Sequence, residues 1–332
     1  MVYSIENKSF DPYFNLAFEQ FVFDSLDRGK DYFMLWQNNN AIILGKHQNA
    51  LEEINRAVVE ENNISVVRRL SGGGAVYHDL GNLNFTFIST ENKVNGNIDF
   101  AVFCEPVRKA LLSLGVPVEI SGRNDMQVEG KKISGNAQYI KEGRVMHHGT
   151  ILYDSNLDML SRALNAGEEK IRSKAVKSVR SRVTNVRPYI KNDMPMEEFR
   201  SVINSHVRKS LNMNAFTLTP EQYAATEELK EKVYCQWTWN YGNSPPYTMR
   251  KVRRFEGCGK IEAFLDIGAQ GIIGNVVFFG DFFGSREPSE FAGKLTGLHF
   301  KYEDIKTLTE SLDVSQYFYG LDAESFLALL FG

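Results

Sequence analysis

Hydrophobic and polar positions along this chain fall into blocks whose period changes. Phe14, Leu16, Ala17, Phe18, Phe21 and Val22 make a broad apolar face at helical spacing. Asp11-Pro12 ahead of them supplies an N-cap and a proline at the first helical position. Tyr32 to Trp36 and Ala41 to Leu44 are short apolar runs on either side of Asn38-Asn39-Asn40, and they predict two buried strands around a turn. Ser65 to Arg69 and Leu83 to Ile88 predict further strands, which flank a run of glycines. Phe100 to Leu114 returns to helical spacing. Val116 to Tyr153 is strand-rich and broken by Gly122, Gly130, Gly135, Gly143 and Gly149. Met196 to Leu211 and Pro220 to Trp237 predict helices, the second opened by a capping box of Thr219 and Gln222. Lys260 to Ile267 alternates as a half-buried strand, Ile272 to Phe279 is another strand, and short helices close the chain.

Strands that cluster with intervening helices, without regular βαβ alternation, predict an α+β fold. Gly242-Asn243-Ser244-Pro245-Pro246 has the composition of a linker. It divides the chain into a catalytic domain over 1–245 and a small α/β accessory domain over 246–332, both of ordinary domain size. A formal charge of -3 gives no polybasic face, so nucleic acid is not an expected partner. Cys104, Cys235 and Cys258 are too few and too scattered for a disulfide framework or a zinc site, and they fit a reducing compartment. Met1 to Phe10 lacks the apolar centre of a signal peptide. Ile272 to Phe283 is interrupted by Asn275 and Asp281 and is too short to cross a bilayer. A cytoplasmic protein with no membrane partner, acting as a monomer, is expected.

Three segments carry candidate chemistry. Arg68-Arg69-Leu70-Ser71-Gly72-Gly73-Gly74-Ala75-Val76-Tyr77-His78 sets three glycines behind two arginines. Consecutive glycines weaken regular structure but let backbone approach a ligand closely, with N–H groups turned toward anionic oxygens. The arginines add fork-like donors suited to carboxylate or phosphate. A hairpin turn with solvated arginines is the competing reading. The spacing is neither a Walker A loop nor a dinucleotide fingerprint. In the second segment, Asn124-Asp125, Lys131-Lys132-Ile133-Ser134-Gly135 and His147-His148-Gly149-Thr150 suggest adjacent strands carrying polar groups to one site. A lysine there can hold an ammonium over a carboxylate and an α-phosphate, and Asp125 can share a magnesium ion with phosphate oxygens. The third, Lys174 to Asn185, holds cations and hydroxyls but no acid, which suits a loop that closes over an adenylate and excludes water. A solvated basic loop is its plainer reading.

Together these segments resemble the lipoate–protein ligase A family. Arg68 to Asn82 fits that family's Arg-Arg-x-Ser-Gly-Gly-Gly-Ala-Val-(Phe/Tyr)-His-Asp-x-Gly-Asn loop. Lys132 to Gly135, His147 to Thr150, Lys177 to Asn185 and Asn15 to Glu19 fit its other segments. The resemblance implies a biotin/lipoate ligase-like α+β catalytic domain with an accessory domain. It also implies two reaction steps: lipoate and Mg-ATP give lipoyl-AMP, and an acceptor lysine then displaces AMP. Expected acceptors are lipoyl domains of 2-oxoacid dehydrogenase complexes and the glycine-cleavage H protein. Residue by residue, Lys132 would bridge carboxylate and phosphate in both steps. Arg68, Ser71, Gly72, Gly73, Gly74, His148 and Gly149 would serve lipoate. Ala75, Val76, Tyr77, Asn82 and Asn124 would serve ATP and the adenylate, with Lys177, Ser178, Val179 and Arg180 in the closing loop. Asp125 would face the metal.

Three other readings share these residues. An octanoyl or lipoyl transferase of the same superfamily needs a cysteine nucleophile near Lys132. None of the three cysteines lies between Gly149 and Thr184. A biotin–protein ligase shares the adenylate chemistry but fits the Arg-Arg-x-Ser-Gly-Gly-Gly loop less well. A non-catalytic acyl-carrier binding protein would not need Lys132 or the basic loop.

Overall fold

A computed structural model of the protein describes residues 1–90, 100–121, 124–164, 182–241, 249–268 and 271–331. The chain forms two compact units. One comprises Met1–Leu44, Ala50–Leu70 and Val76–Tyr241, and the other Gly45–Asn49, Ser71–Ala75 and Gly242–Gly332. The linker expected at 242–246 lies outside the described residues.

The first unit's strands are β1 (Val2–Glu6), β2 (Asp31–Trp36), β3 (Ala41–Leu44), β4 (Ser65–Arg68), β5 (Val76–His78), β6 (Asn82–Thr90), β7 (Val118–Ser121), β8 (Asp125–Val128), β9 (Lys131–Lys141), β10 (Arg144–Leu152) and β11 (Asn214–Phe216). Eight of them form a mixed sheet in the order β11-β1-β2-β6-β10-β9-β8-β7, and β4-β3-β5 form a smaller one. β2 is buried along its whole length because both sheet faces are covered. Phe33 and Leu35 join Phe85, Phe87 and Ile151 in a core with Val107 and Leu111 of the helix Ala101–Ser113 and Phe199 and Ile203 of the helix Met196–Ser210. Tyr32, Met34 and Trp36 pack on the other face against the first helix, Pro12–Ser25, and the small sheet. Asp11 caps that helix by accepting from the Tyr13 N–H at 2.9 Å, as its sequence predicts. Arg144, almost fully buried, donates to the carbonyls of Phe23 and Leu26 at the helix's other end.

The two buried strands expected on either side of Asn38 to Asn40 form, as β2 and β3, and they belong to different sheets. The intervening residues are tied to the first helix. Asn15 donates to the Gln37 carbonyl at 2.8 Å and to the Asn38 side chain at 2.9 Å, and the Asn39 N–H donates to the Phe10 carbonyl. One sequence expectation changes. The helix expected over Pro220 to Trp237 ends at Leu229 and continues as a π turn, Lys230–Tyr234, before a separate short helix, Trp237–Tyr241. The wider turn buries Tyr234 and lets its hydroxyl donate to Gln20 of the first helix at 2.8 Å.

In the second unit β12 (Met249–Phe255), β13 (Gly259–Ile267) and β14 (Ile273–Gly280) make an antiparallel sheet. Ile261, Ala263, Val276 and Phe278 pack on Phe291, Leu295, Ile305 and Phe326 of its helices. Two short stretches from earlier in the chain complete the unit. The His47 ring stacks on Phe282 at 5.0 Å, and Lys46 Nζ pairs with Glu287 at 2.5 Å. The Gly73 N–H donates to the Phe282 carbonyl at 3.0 Å. Gly73 has φ +88, and a side chain at Gly72 would run into the Phe282 carbonyl, so both positions require glycine. Here the close backbone approach that the triple glycine permits is to Phe282. Among the described residues no helix is long and apolar enough to cross a membrane.

Candidate active site

Lys132 owes its position to a defect in its strand. β8 and β9 meet through Glu129-Gly130, both at positive φ, as a tight two-residue hairpin turn needs. In register, Gln127 faces Lys132 and Met126 faces Ser134, so Ile133 is an extra residue in β9. This bulge reverses the alternation of faces and brings Lys132 onto the side of Gly135. Ile133 goes fully into the core, while the lysine lies across Gly135. A Cβ on Gly135 would stand 2.8 Å from Nζ and 2.9 Å from Cε, so the glycine makes room for the ammonium. Nζ meets Asp125 Oδ1 at 2.8 Å, both side chains being partly exposed. The backbone of Lys132 is gripped as well. Its N–H donates to the Arg182 carbonyl at 2.7 Å, and its carbonyl accepts from the Thr184 N–H at 3.0 Å. Asn185 then fixes the re-entering chain through both backbone groups of Ser155. The last residues of the basic loop are therefore docked on the candidate lysine. Lys177, Ser178, Val179 and Arg180 themselves lie outside the described residues.

Beside Lys132, Asn124 and Asn136 exchange hydrogen bonds, the Asn136 N–H and side-chain amide both reaching the Asn124 carbonyl at 3.0 Å. Gly149 is opposite Asn136, and a side chain there would strike both Asn136 and Phe85. His148, next to it, shares its face with Thr86 and Glu19. Nδ1 of His148 lies 3.1 and 3.2 Å from the two Glu19 oxygens, so it carries the proton and donates. Glu19 also accepts from the Thr86 hydroxyl, which in turn accepts from the Trp36 indole at 2.9 Å. Glu19 is nearly inaccessible to solvent, and this network is what permits a carboxylate there. The sequence offered two signals for it, an acid inside the apolar face of the first helix and the segment Asn15 to Glu19, but neither gave Glu19 a partner.

His78 and His147, the other histidines of the candidate segments, are neutral. His78 Nδ1 accepts from the Asn38 amide at 3.1 Å. Burial, with Arg69 and His148 nearby, lowers its pKa to about 3. His147 faces the opposite core, stacked on Phe103 at 5.0 Å, with Nδ1 near Gln138 and Nε2 near Asn136. Burial holds it well below the ordinary histidine value. Burial likewise lowers Arg68 and Arg69 to about 10, leaving both charged at neutral pH. Tyr77 is raised to about 12 by burial and donates to Asn40 Oδ1 at 3.1 Å. Asn82 donates to Asn84 at 2.9 Å. Val76 is half-buried against the core around the first helix. The first unit thus brings Asn124, Asp125 and Lys132 together and places His148 and Gly149 on β10, the strand paired with the one that carries Lys132. Arg68 instead faces the helix Trp237–Tyr241, and Ser71 to Ala75 belong to the second unit.

Residues 11–208 match the lipoyl protein ligase A/B catalytic domain, and residues 244–330 match the bacterial lipoate protein ligase C-terminus. The lipoate-protein ligase LplJ of Bacillus subtilis is 42% identical over 331 residues, covering 98% of this chain and 99% of its own. The chain belongs to the lipoate–protein ligase family. Two solved members are similar in structure. A lipoate-protein ligase A bound with ATP is 26% identical with a TM-score of 0.60, covering 73% of this chain and 98% of its own. The bi-partite lipoate protein ligase of Thermoplasma acidophilum, solved with its E2 lipoyl domain, is 29% identical with a TM-score of 0.64, covering 74% and 98%.

The cysteines of this ligase argue against a thioester route. Cys104 is buried with Sγ 3.8 Å from His147 Nε2, in the core away from the Glu19 face, and Cys258 is buried in the second unit. Cys235 is exposed, but its thiol titrates above the usual value through desolvation and Glu231, the reverse of an activated nucleophile.

Proposed function

We propose that this ligase joins lipoate to ATP at Lys132 and passes the acyl group to a lysine of an acceptor protein. A lipoate carboxylate oxygen attacks the α-phosphorus, the bond to the β-phosphate oxygen breaks, and pyrophosphate leaves with the electron pair. The acceptor's ε-amine then attacks the acyl carbonyl, AMP leaves, and the amine proton is lost as the amide forms. Both steps concentrate negative charge where carboxylate and phosphate meet, which is where a positioned ammonium lowers the barrier. The observation that carries this reading is the seating of Lys132 over Gly135, with its backbone held by Arg182 and Thr184 and its Nζ on Asp125.

Asn124 and Asp125 then face the phosphates. Asp125 would hold magnesium together with ATP phosphate oxygens, as magnesium takes one or two carboxylates plus substrate phosphates. When bound it neutralises phosphate charge; orienting the α-phosphate falls to Lys132. His148 and Gly149 serve the acyl substrate, with His148 fixed in one tautomer by Glu19. Tyr77 and Asn82 line the nucleotide, and Lys177 to Arg180 close over it. The acceptors are lipoyl domains of 2-oxoacid dehydrogenase complexes and the glycine-cleavage H protein, met in the cytoplasm. Lipoate-dependent pyrophosphate release in Mg-ATP tests the first step, and its absence in Lys132→Ala ties that step to the lysine.

A further inference from the structure

The open edge of β4 is closed by side chains. β4 borders only β3 in its sheet, and the Arg69 N–H points inward to the Leu44 carbonyl at 3.0 Å. Arg68 therefore turns its own N–H and carbonyl outward, where a strand edge would otherwise be left unpaired. The helix Trp237–Tyr241 receives both groups. Asn240 Oδ1 accepts from the Arg68 N–H at 2.9 Å, and the Trp239 indole donates to the Arg68 carbonyl at 2.9 Å. The guanidinium reaches the same helix, Nε to the Trp239 carbonyl at 3.0 Å and Nη2 to the Asn240 carbonyl at 2.8 Å. Asn240 is buried and anchored in turn, its amide donating to the Tyr234 carbonyl in the π turn at 2.6 Å. Arg68 is also where chain connections gather. Leu44 is its register partner, and the first unit's stretches end at Leu44, Leu70 and Tyr241. Residues 237–241 fall between the two matched regions, 11–208 and 244–330.

We propose that Trp239 and Asn240 are positioning residues for lipoate binding, acting through Arg68: they replace a neighbouring strand and hold the end of β4 in the place that the acyl substrate requires. The inference rests on the reading of this chain as a lipoate ligase. It also adds to the part played by Arg68: its Nε and Nη2 serve the clasp, which fixes the backbone that carries it.

The test compares Asn240→Ala, Asn240→Asp and Trp239→Phe in the full chain. Asn240→Ala raises the KM for lipoate about tenfold while the KM for ATP stays within about twofold, as the loss of one buried backbone-to-side-chain hydrogen bond predicts. Asn240→Asp keeps the acceptor for the Arg68 N–H and recovers most of the lipoate KM. Trp239→Phe keeps the ring and gives an intermediate value. Amide exchange in peptides covering Val66 to Leu70 quickens in Asn240→Ala without any substrate. Equal rises in both KM values, or a lower melting temperature with unchanged lipoate KM and unchanged exchange, would overturn the proposal. If the wild-type protein releases no pyrophosphate with lipoate, the ligase reading fails, and the exchange measurement alone decides whether the clasp holds β4.

Discussion

Replacing Gly135 with alanine adds one methyl group, and the structure says where it goes. The new Cβ would lie 2.8 Å from Lys132 Nζ and 2.9 Å from Cε, closer than such atoms approach one another. The lysine is partly exposed and its end is flexible, so the backbone stays and the ammonium moves. Relieving the overlap takes Nζ roughly 1 Å from its seat and breaks the 2.8 Å contact with Asp125. A displacement of that size at a reacting centre costs on the order of 10²-fold in rate. That corresponds to about 2.7 kcal/mol of transition-state stabilisation. Folding should not suffer. Gly135 is not among the positive-φ residues, and alanine in a strand avoids the entropy cost of glycine, worth up to about 1 kcal/mol. The expected signature is a kcat for lipoate-dependent pyrophosphate release reduced about 10²-fold with an unchanged or slightly raised melting temperature. Rates within a factor of about three of wild type would refute the placement of the ammonium over Gly135, since a tenfold change is already only about 1.4 kcal/mol. A large drop in melting temperature would refute the claim that the lysine, and not the backbone, gives way.

Lys132→Ala should remove pyrophosphate release to background while far-ultraviolet circular dichroism and melting temperature stay near wild type; appreciable release would show that the charge sits elsewhere. Cys104→Ala, Cys235→Ser and Cys258→Ala should each retain both half-reactions, and loss of acyl transfer with retained adenylation in any one of them would revive a thioester route. His78 should make the fold acid-sensitive. Its folded pKa of about 3 lies below the unfolded histidine value, so below pH about 6.5 the unfolded chain binds a proton that the folded chain does not. Stability contributed at neutral pH is then lost as pH falls from about 6.5 toward 3, at up to about 1.4 kcal/mol per pH unit. Urea denaturation of His78→Gln at pH 7 and pH 5 should show a smaller acid loss than wild type, and parallel losses would contradict the buried neutral imidazole.

Much of the fold was legible because its strands are short apolar runs and its helices carry clean periods, as at Phe14 to Val22 and Met196 to Leu211. Pairing was not legible. The spacing of β2 and β3 cannot reveal that they enter different sheets, or that Asn15, far away in sequence, ties down the residues between them. The π turn at Lys230 to Tyr234 is invisible because it shifts helical phase by one residue without changing composition. β12, with Arg250, Lys251, Arg253 and Arg254, shows no apolar alternation, so no strand was expected. At the site, Lys132, Asp125, His148 and Gly149 stood out from their motif segments. The bulge that aims Lys132, the Glu19 partner of His148 and the docking of Arg182 to Thr184 depend on contacts between distant segments, which one sequence does not display. The glycine run was read as ligand-facing; that Gly72 and Gly73 also approach the Phe282 backbone in the second unit is a distant contact the sequence does not display.

The most direct test of the account mixes the purified protein with lipoate, Mg-ATP and an apo lipoyl domain, and follows pyrophosphate together with the intact mass of the acceptor. Both signals should require lipoate and ATP, the acceptor should gain one lipoyl group, and neither signal should appear with Lys132→Ala. Acceptor modification from an already acylated carrier, without ATP and without pyrophosphate, would contradict it.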